Sequence, residues 1–292
     1  MGKYHSVEIL DINSLKHLSL RLGFPKDILA KIASKAEHLY TFDKEPKKSG
    51  GFRKISKPHK KLKEIQSAIH RLLGEVSVSD CAHGGIKGRS NLTNAQPHCN
   101  QRFLLNLDLK NFFPSISHYK VYELFHRTLR CSSIVASLLT RLTTVNRQVP
   151  QGGPMSTGLV NLILRQTDRR LEKLAKQYNI NYTRFVDDIS FSGEFIPQKF
   201  KKTAKEIIQQ SGFQLNPSKE ALKDNSEQKL VTGLSVNRKR PNVPRSVRRQ
   251  VRKEAHQFEK YNQGIMSASG RKKRDQQIKG KIAYINYINR NR

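Results

Sequence analysis

Apolar and polar positions change period several times along the chain. Residues 1–45 carry moderately apolar residues at helical spacing and predict helices. The stretch 44–63 is basic, with Lys44, Lys47, Lys48 and Lys57, and is broken by Pro46, Gly50, Gly51 and Pro58, which predicts a turn-rich segment. Leu62, Ile65, Ile69, Leu72 and Leu73 then fall on one helical face. Residues 80–100 are polar and read as loop. The apolar run from Phe103 ends in Asp108 and predicts a strand, and a helix is expected over 119–129. Gln151 to Gly158 form a glycine-rich loop, and Pro154 suits the start of one long helix bearing Leu159, Leu162, Ile163, Leu171 and Leu174. Between Tyr182 and Gly193, β-branched and aromatic residues flank Asp187-Asp188. They predict two short strands meeting at a turn with the carboxylates at its tip. A basic helix over 199–210, a strand over 230–236 and a helical segment from Val247 onward complete an α+β pattern, expected to place helices on one face of a sheet.

Charge changes the picture. The 292 residues hold 55 Lys and Arg against 23 Asp and Glu, a formal charge of +32. Such an excess costs self-repulsion and points to a polyanionic partner. It is steepest over 238–292, with 17 Lys and Arg against three acids. No apolar run is long enough to span a membrane, and no secretory layout opens the chain. Cys81, Cys99 and Cys131 have no metal-ligand spacing, and their odd number argues for reduced thiols and a cytoplasmic location.

Acids are scarce, so their grouping carries weight. Asp187 and Asp188 at a hairpin tip repel each other unless cations lie between them, and Asp108 ends a second strand. Carboxylates from two neighbouring strands can hold two metals about 3.5–4 Å apart for in-line phosphoryl displacement. Mg²⁺ is the ion that carboxylates and phosphate together usually hold. A carboxylate set on a sheet, with basic segments on each side, is what a polymerase acting on nucleic acid requires.

The ordered set resembles the reverse transcriptases. It comprises Leu107-Asp108-Leu109-Lys110-Asn111-Phe112-Phe113, Gln151-Gly152 ahead of a helix, and Phe185-Val186-Asp187-Asp188, spread over roughly residues 50–240. Phe185 and Val186 stand where the family usually has Tyr and often Ala, a change that removes no metal ligand. Asn94-Ala95-Gln96-Pro97-His98 and Val231-Thr232-Gly233 match elements of the bacterial retron reverse transcriptases. The resemblance implies a right-hand polymerase fold. Fingers with an N-terminal helical segment would occupy 1–100, an antiparallel-sheet palm with an interleaved fingers element 101–236, and a basic helical thumb 237–292. It also implies a partner RNA, folded and non-coding, part of which is copied into single-stranded DNA. Priming from a guanosine 2′-hydroxyl would leave a branched RNA–DNA hybrid, within an antiphage system that includes a neighbouring effector protein. A group II intron-like or diversity-generating reverse transcriptase, or a catalytically silent RNA-binding module, remain alternatives.

Roles follow by position. Asp108, Asp187 and Asp188 are expected as ligands of two Mg²⁺ ions, with the Leu109 carbonyl on the second. Phe113 is expected to stack under the incoming sugar and exclude a 2′-hydroxyl, with Phe112 in the core. Gln151 and Gly152 would rest the nucleotide. Arg53 and Lys54 would hold triphosphate oxygens or form a solvated basic face. Lys219 would protonate departing pyrophosphate or contact phosphate. Asn94 and His98 would contact RNA or serve as local scaffold. Arg245, Arg248, Arg249, Arg252 and Lys253 would track RNA phosphates.

Overall fold

The structure, a computed structural model, describes residues 9–46, 50–261 and 268–291. Lys47 and Lys48, and the parts of the expected N-terminal and C-terminal helical segments at 1–8, 262–267 and 292, lie outside the described residues.

Two antiparallel strands, β1 (Tyr40–Pro46) and β2 (Phe52–Pro58), stand where a turn-rich basic segment was expected. The ribbon is mostly exposed, so it has no apolar alternation to betray it. Gly50 and Gly51, both at positive φ, follow the end of β1. The central sheet contains β3 (Phe103–Asp108), β4 (Asn181–Phe185), β5 (Asp188–Gly193) and β6 (Ala221–Lys223). Its order is β4-β5-β3-β6, antiparallel throughout. The strand expected over 230–236 is a tight hairpin of β7 (Leu230–Val231) and β8 (Leu234–Ser235), turning at Thr232 and Gly233, both at positive φ.

The helix Lys60–Leu73 buries the expected stripe. The long helix after the glycine-rich loop is interrupted at Leu164, giving Ser156–Ile163 and Arg165–Gln177. The helix Gln198–Gln210 is as expected, and the basic C-terminal segment forms the helices Arg245–Tyr261 and Ala268–Asn291. Within 80–100, the short helix Asn91–Ala95 begins with a reciprocal Ser90–Thr93 cap, a signal that a polar composition masks. None of the described helices is long and apolar enough to cross a membrane.

The sheet is covered on both faces rather than one. Leu105, Leu107, Ile189, Phe191 and Tyr182 face the main core, with the helices packed behind them. Across the sheet, Leu104 joins Leu92, Ala95, Val231, Leu234, Val236, Val243 and Ile288 in a second apolar cluster. Antiparallel pairing puts Thr183, Ser190 and Ser192 on that second face, because directly opposed residues share a face. Polar groups so placed need partners. His98, fully buried, bridges the Ser192 and Thr183 hydroxyls at 2.7 Å each.

Candidate active site at the sheet tip

The carboxylates stand where strand pairing puts them. Asp108 ends β3, Asp188 begins β5, and the two are register partners. Asp187 lies in the two-residue turn after β4, and its carbonyl accepts from the Leu109 amide at 3.2 Å. Lys219 donates to Asp108 Oδ1 at 2.7 Å, and the Asn216 amide reaches Oδ2 at 3.4 Å. Burial and neighbouring negative charge make Asp187 and Asp188 costly to ionise. Asp187 is pushed up by burial and by Asp108, and Asp188 is pushed up to about 7 by burial, Asp187 and Asp108. Lys219 is raised by its hydrogen bond to Asp108 and so stays an ammonium.

A cleft of about 890 Å³ opens in front of this tip. Its walls include Asp108, Leu109, Asp187, Asp188 and Lys219, with Phe113 and Gln151 beside them and Arg53 and Lys54 across from β2. Nine of the sequence-derived candidates therefore meet in one place. Arg53 has its Nε buried without a hydrogen-bond partner, and its charge favours ionised Asp187. Such an orphaned donor beside an open cleft suits an anionic guest. Phe112 is buried, in edge contact with Phe113 at 5.4 Å between ring centres and tilted against Phe213 at 5.8 Å. Phe113 is only half-buried and borders the cleft.

Gly152 packs closely against β2. Its φ is +118°, and a Cβ there would lie 3.0 Å from Ile55 Cγ2 and 3.1 Å from the Ser56 carbonyl. The Ser56 amide also donates to the Gln151 carbonyl at 2.8 Å. Gly152 thus lets β2 dock on the loop, a fit that needs a residue without a side chain.

The expected RNA contacts divide. Arg245, Arg249, Arg252 and Lys253 are exposed on the helix Arg245–Tyr261, while Arg248 is half-buried with its Nε unpartnered. Asn94 and His98 are 1% and 0% exposed and bond within the protein, as the scaffold alternative expects. Burial pushes the His98 imidazole down to about 3. The Thr183 hydroxyl donates to the Asn94 carbonyl at 3.3 Å, leaving its oxygen to accept from His98 Nε2–H. The Ser192 hydroxyl can then donate to Nδ1 of the neutral ring.

Sequence reasoning passed over Phe42, Phe52 and Asn216, which also line the cleft. Asn216 lies three residues before Lys219, but no spacing rule marks an amide for such a place. Phe42 and Phe52 are exposed aromatics on a ribbon whose strands were not foreseen.

Whether the site fits metal can be judged from its donors. Carboxylate oxygens are the hard ligands that Mg²⁺ takes. Among the described residues, no group of three His, Cys, Asp or Glu side chains is placed to hold a metal ion as the side chains stand. The Lys219 ammonium already neutralises Asp108. The donor set fits a divalent cation in kind.

The chain is similar in sequence to known proteins. The family described as reverse transcriptase (RNA-dependent DNA polymerase) matches residues 45–236, from β1 to the end of the β7–β8 hairpin. The retron Ec86 reverse transcriptase of Escherichia coli is 33% identical over 226 residues, covering 75% of this chain and 68% of that protein. The chain belongs to the reverse transcriptase family, on its bacterial retron branch. The retron Mx65 reverse transcriptase of Myxococcus xanthus is 35% identical over 223 residues, covering 70% of this chain and 52% of that protein. The chain thus spans between about half and two thirds of the length of these retron relatives. Among solved structures, telomerase from Candida tropicalis in complex with a TWJ fragment of telomeric RNA aligns with a TM-score of 0.50 and 12% identity. That match covers 79% of this chain and 52% of that one. It is a likeness of fold, and this reverse transcriptase domain has the α+β right-hand polymerase architecture.

Proposed function

We propose that the chain is an RNA-directed DNA polymerase of the retron type. It would bind its own folded non-coding RNA and copy part of it into single-stranded DNA. Synthesis would be primed from a guanosine 2′-hydroxyl and leave a branched RNA–DNA product. The observation that carries the reading is the convergence of three carboxylates, a lysine, Arg53 and Phe113 on one cleft.

Each residue has a task in that chemistry. Asp108, Asp187 and Asp188, with the Leu109 carbonyl, would hold two Mg²⁺ ions. Bound there, the metals supply charge neutralisation for in-line phosphoryl transfer. Arg53 and Lys54 hold the triphosphate by charge-assisted hydrogen bonds. Phe113 lies under the deoxyribose and fills the space of a 2′-hydroxyl, while Gln151 supports the nucleotide from the loop side. Lys219, kept protonated by Asp108, can donate to the departing pyrophosphate. The hairpin of β1 and β2 belongs to fingers within 1–100, the sheet to a palm within 101–236, and the basic helices to a thumb within 237–292. The exposed cations of that thumb follow RNA phosphates, and recognition comes from folded RNA shape. Deoxynucleoside triphosphates are the small substrates. A cytoplasmic antiphage role with a neighbouring effector protein completes the proposal and rests on the retron relatives alone.

Purified full-length chain tests the reading, given an RNA template, a DNA primer and deoxynucleotides with Mg²⁺. Extension that stops on chelation supports it. No extension, while a control polymerase copies the same template, overturns it. The flanking DNA tests the retron part: an inverted-repeat RNA encoded immediately upstream, yielding branched RNA–DNA on co-expression, supports it, and the absence of either would favour a group II intron-like enzyme.

A further inference from the structure

Directly beneath the carboxylate turn lies a buried polar cluster that the chemistry above does not use. Arg184 and Asp168 are 1% and 0% exposed. The guanidinium grips the carboxylate with two prongs, Nε to Oδ1 at 2.8 Å and Nη2 to Oδ2 at 2.7 Å. The Tyr182 hydroxyl donates to the same carboxylate at 2.7 Å. Burial alone would pull the Arg184 guanidinium down, but the Asp168 carboxylate leaves it raised and fully charged.

The remaining nitrogen points at the turn. Arg184 Nη1 donates to the Val186 carbonyl at 2.9 Å and to Asn161 Oδ1 at 3.1 Å. Asn161 in turn donates to the Gly84 carbonyl at 2.9 Å. Val186 occupies the first position of the two-residue turn with φ +59°, a conformation usually given to glycine there. For a β-branched residue this conformation is strained and persists only where surroundings over-determine it. Gly84 is one such surrounding. A Cβ there would fall 2.5 Å from Val186 Cγ2 and 2.7 Å from its amide nitrogen. The backbone beside it is tied on as well, Arg184 donating to Cys81 at 2.7 Å and His83 to Arg184 at 2.8 Å.

A buried ion pair is weak support for stability, because apolar side chains of similar volume often serve the core as well. What apolar side chains could not supply is the third donor, aimed at the turn that carries the acids. We propose that Arg184 is a positioning residue. Through the Val186 carbonyl it holds the left-handed turn that sets Asp187 and Asp188 against Asp108, and Asp168 aims its guanidinium. The proposal rests on the polymerase reading of the same site and adds to it a brace absent from the reacting atoms.

Two variants of the full chain test it. Arg184→Lys keeps a charge opposite Asp168 but cannot serve the carboxylate and the Val186 carbonyl together. Arg184→Met combined with Asp168→Asn removes both charges and leaves Tyr182 an acceptor. In both, thermal midpoint and template-primer affinity should stay near wild type, while single-turnover incorporation falls about tenfold or more. The Mg²⁺ concentration for half-maximal rate should rise, and added Mg²⁺ should recover part of the loss. One readout needs no activity: the Leu109 amide, bonded to the Asp187 carbonyl, should exchange its hydrogen about tenfold faster. Unchanged exchange and unchanged Mg²⁺ dependence in folded variants overturn the proposal. Unfolding of both variants overturns it too, since the pair then serves the core and not the turn. If wild type itself fails to polymerise, the polymerase reading falls, and the exchange measurement still decides whether Arg184 holds the turn.

Discussion

The Asn94 side-chain amide donates to the Thr232 hydroxyl at 3.4 Å, across 138 positions of sequence. Thr232 also donates to the Asn91 carbonyl at 3.3 Å, and the Asn91 side chain donates to the Tyr284 hydroxyl at 2.5 Å. The two short elements that resemble those of retron enzymes therefore touch each other, and the C-terminal helix closes over them with Ile288 in their shared apolar cluster. Asn94→Ala and Thr232→Ala should each destabilise the fold, and the pair should fall short of the sum by roughly 0.5–1 kcal/mol. A double-mutant cycle by denaturant unfolding measures this. Strict additivity would show that the contact carries no energy.

Asp187→Asn should abolish synthesis, slowing incorporation by about 100-fold or more, roughly 3 kcal/mol of lost transition-state stabilisation. RNA binding should survive. The metal-free thermal midpoint should hold or rise at neutral pH. Asp187 and Asp188 have raised folded-state values, so their ionisation disfavours the fold once pH exceeds the unfolded carboxylate value. Near-normal polymerisation by this variant would remove Asp187 from the site.

Phe113→Val should keep deoxynucleotide incorporation and gain ribonucleotide incorporation, because the excluded volume is steric. Phe112→Val should lose stability instead, by about 1–3 kcal/mol, since that ring packs on Phe113 and Phe213 in the core. Single-nucleotide extension with matched ribo- and deoxynucleotides separates them. A selectivity change in the Phe112 variant alone would reverse the assignment.

RNA affinity should weaken steeply between roughly 50 and 200 mM salt, as counterion release requires. Deleting 244–292 would be a poor test, because Ile288 helps fill the second cluster and its loss would strip part of the core. Replacing the exposed Arg249, Arg252 and Lys253 with Gln leaves that packing alone. Each lost phosphate contact should reduce the logarithmic salt slope by about 0.7–0.9. An unchanged slope in a filter-binding or anisotropy titration would place the RNA elsewhere.

His98 makes the fold acid-sensitive. Its folded value is down to about 3 against 6.5 when unfolded, so the unfolded chain binds the proton first. The stability it contributes is complete above pH ~6.5 and is lost as pH falls, by roughly 2 kcal/mol at pH 5. His98→Asn should be less stable at pH 7.5 and show a flatter decline between pH 7 and 5. Parallel stability curves for the two proteins would remove His98 as the cause.

Local rules went far with this chain. A strand ending in Asp108 and a second strand pair broken by Asp187-Asp188 were legible, because β-branched and aromatic runs bounded by acids and glycine leave little choice. The helical stripe from Leu62 to Leu73 and the charge of the C-terminal segment were legible for the same local reason. The sequence by itself singled out most of the charged residues that line the cleft at the sheet tip. Tertiary structure decided how they are held. The exposed β1–β2 ribbon reads as a basic loop until its partner strand is known. Asn94 and His98, polar in a polar stretch, read equally as RNA contacts or scaffold, and their burial shows only once the second face of the sheet closes over them. Arg184 and Asp168, on a strand and a helix 16 positions apart, carry no local mark of a pair. Their meaning arises only when the strand and helix pack and a charge with nowhere else to go finds its partner.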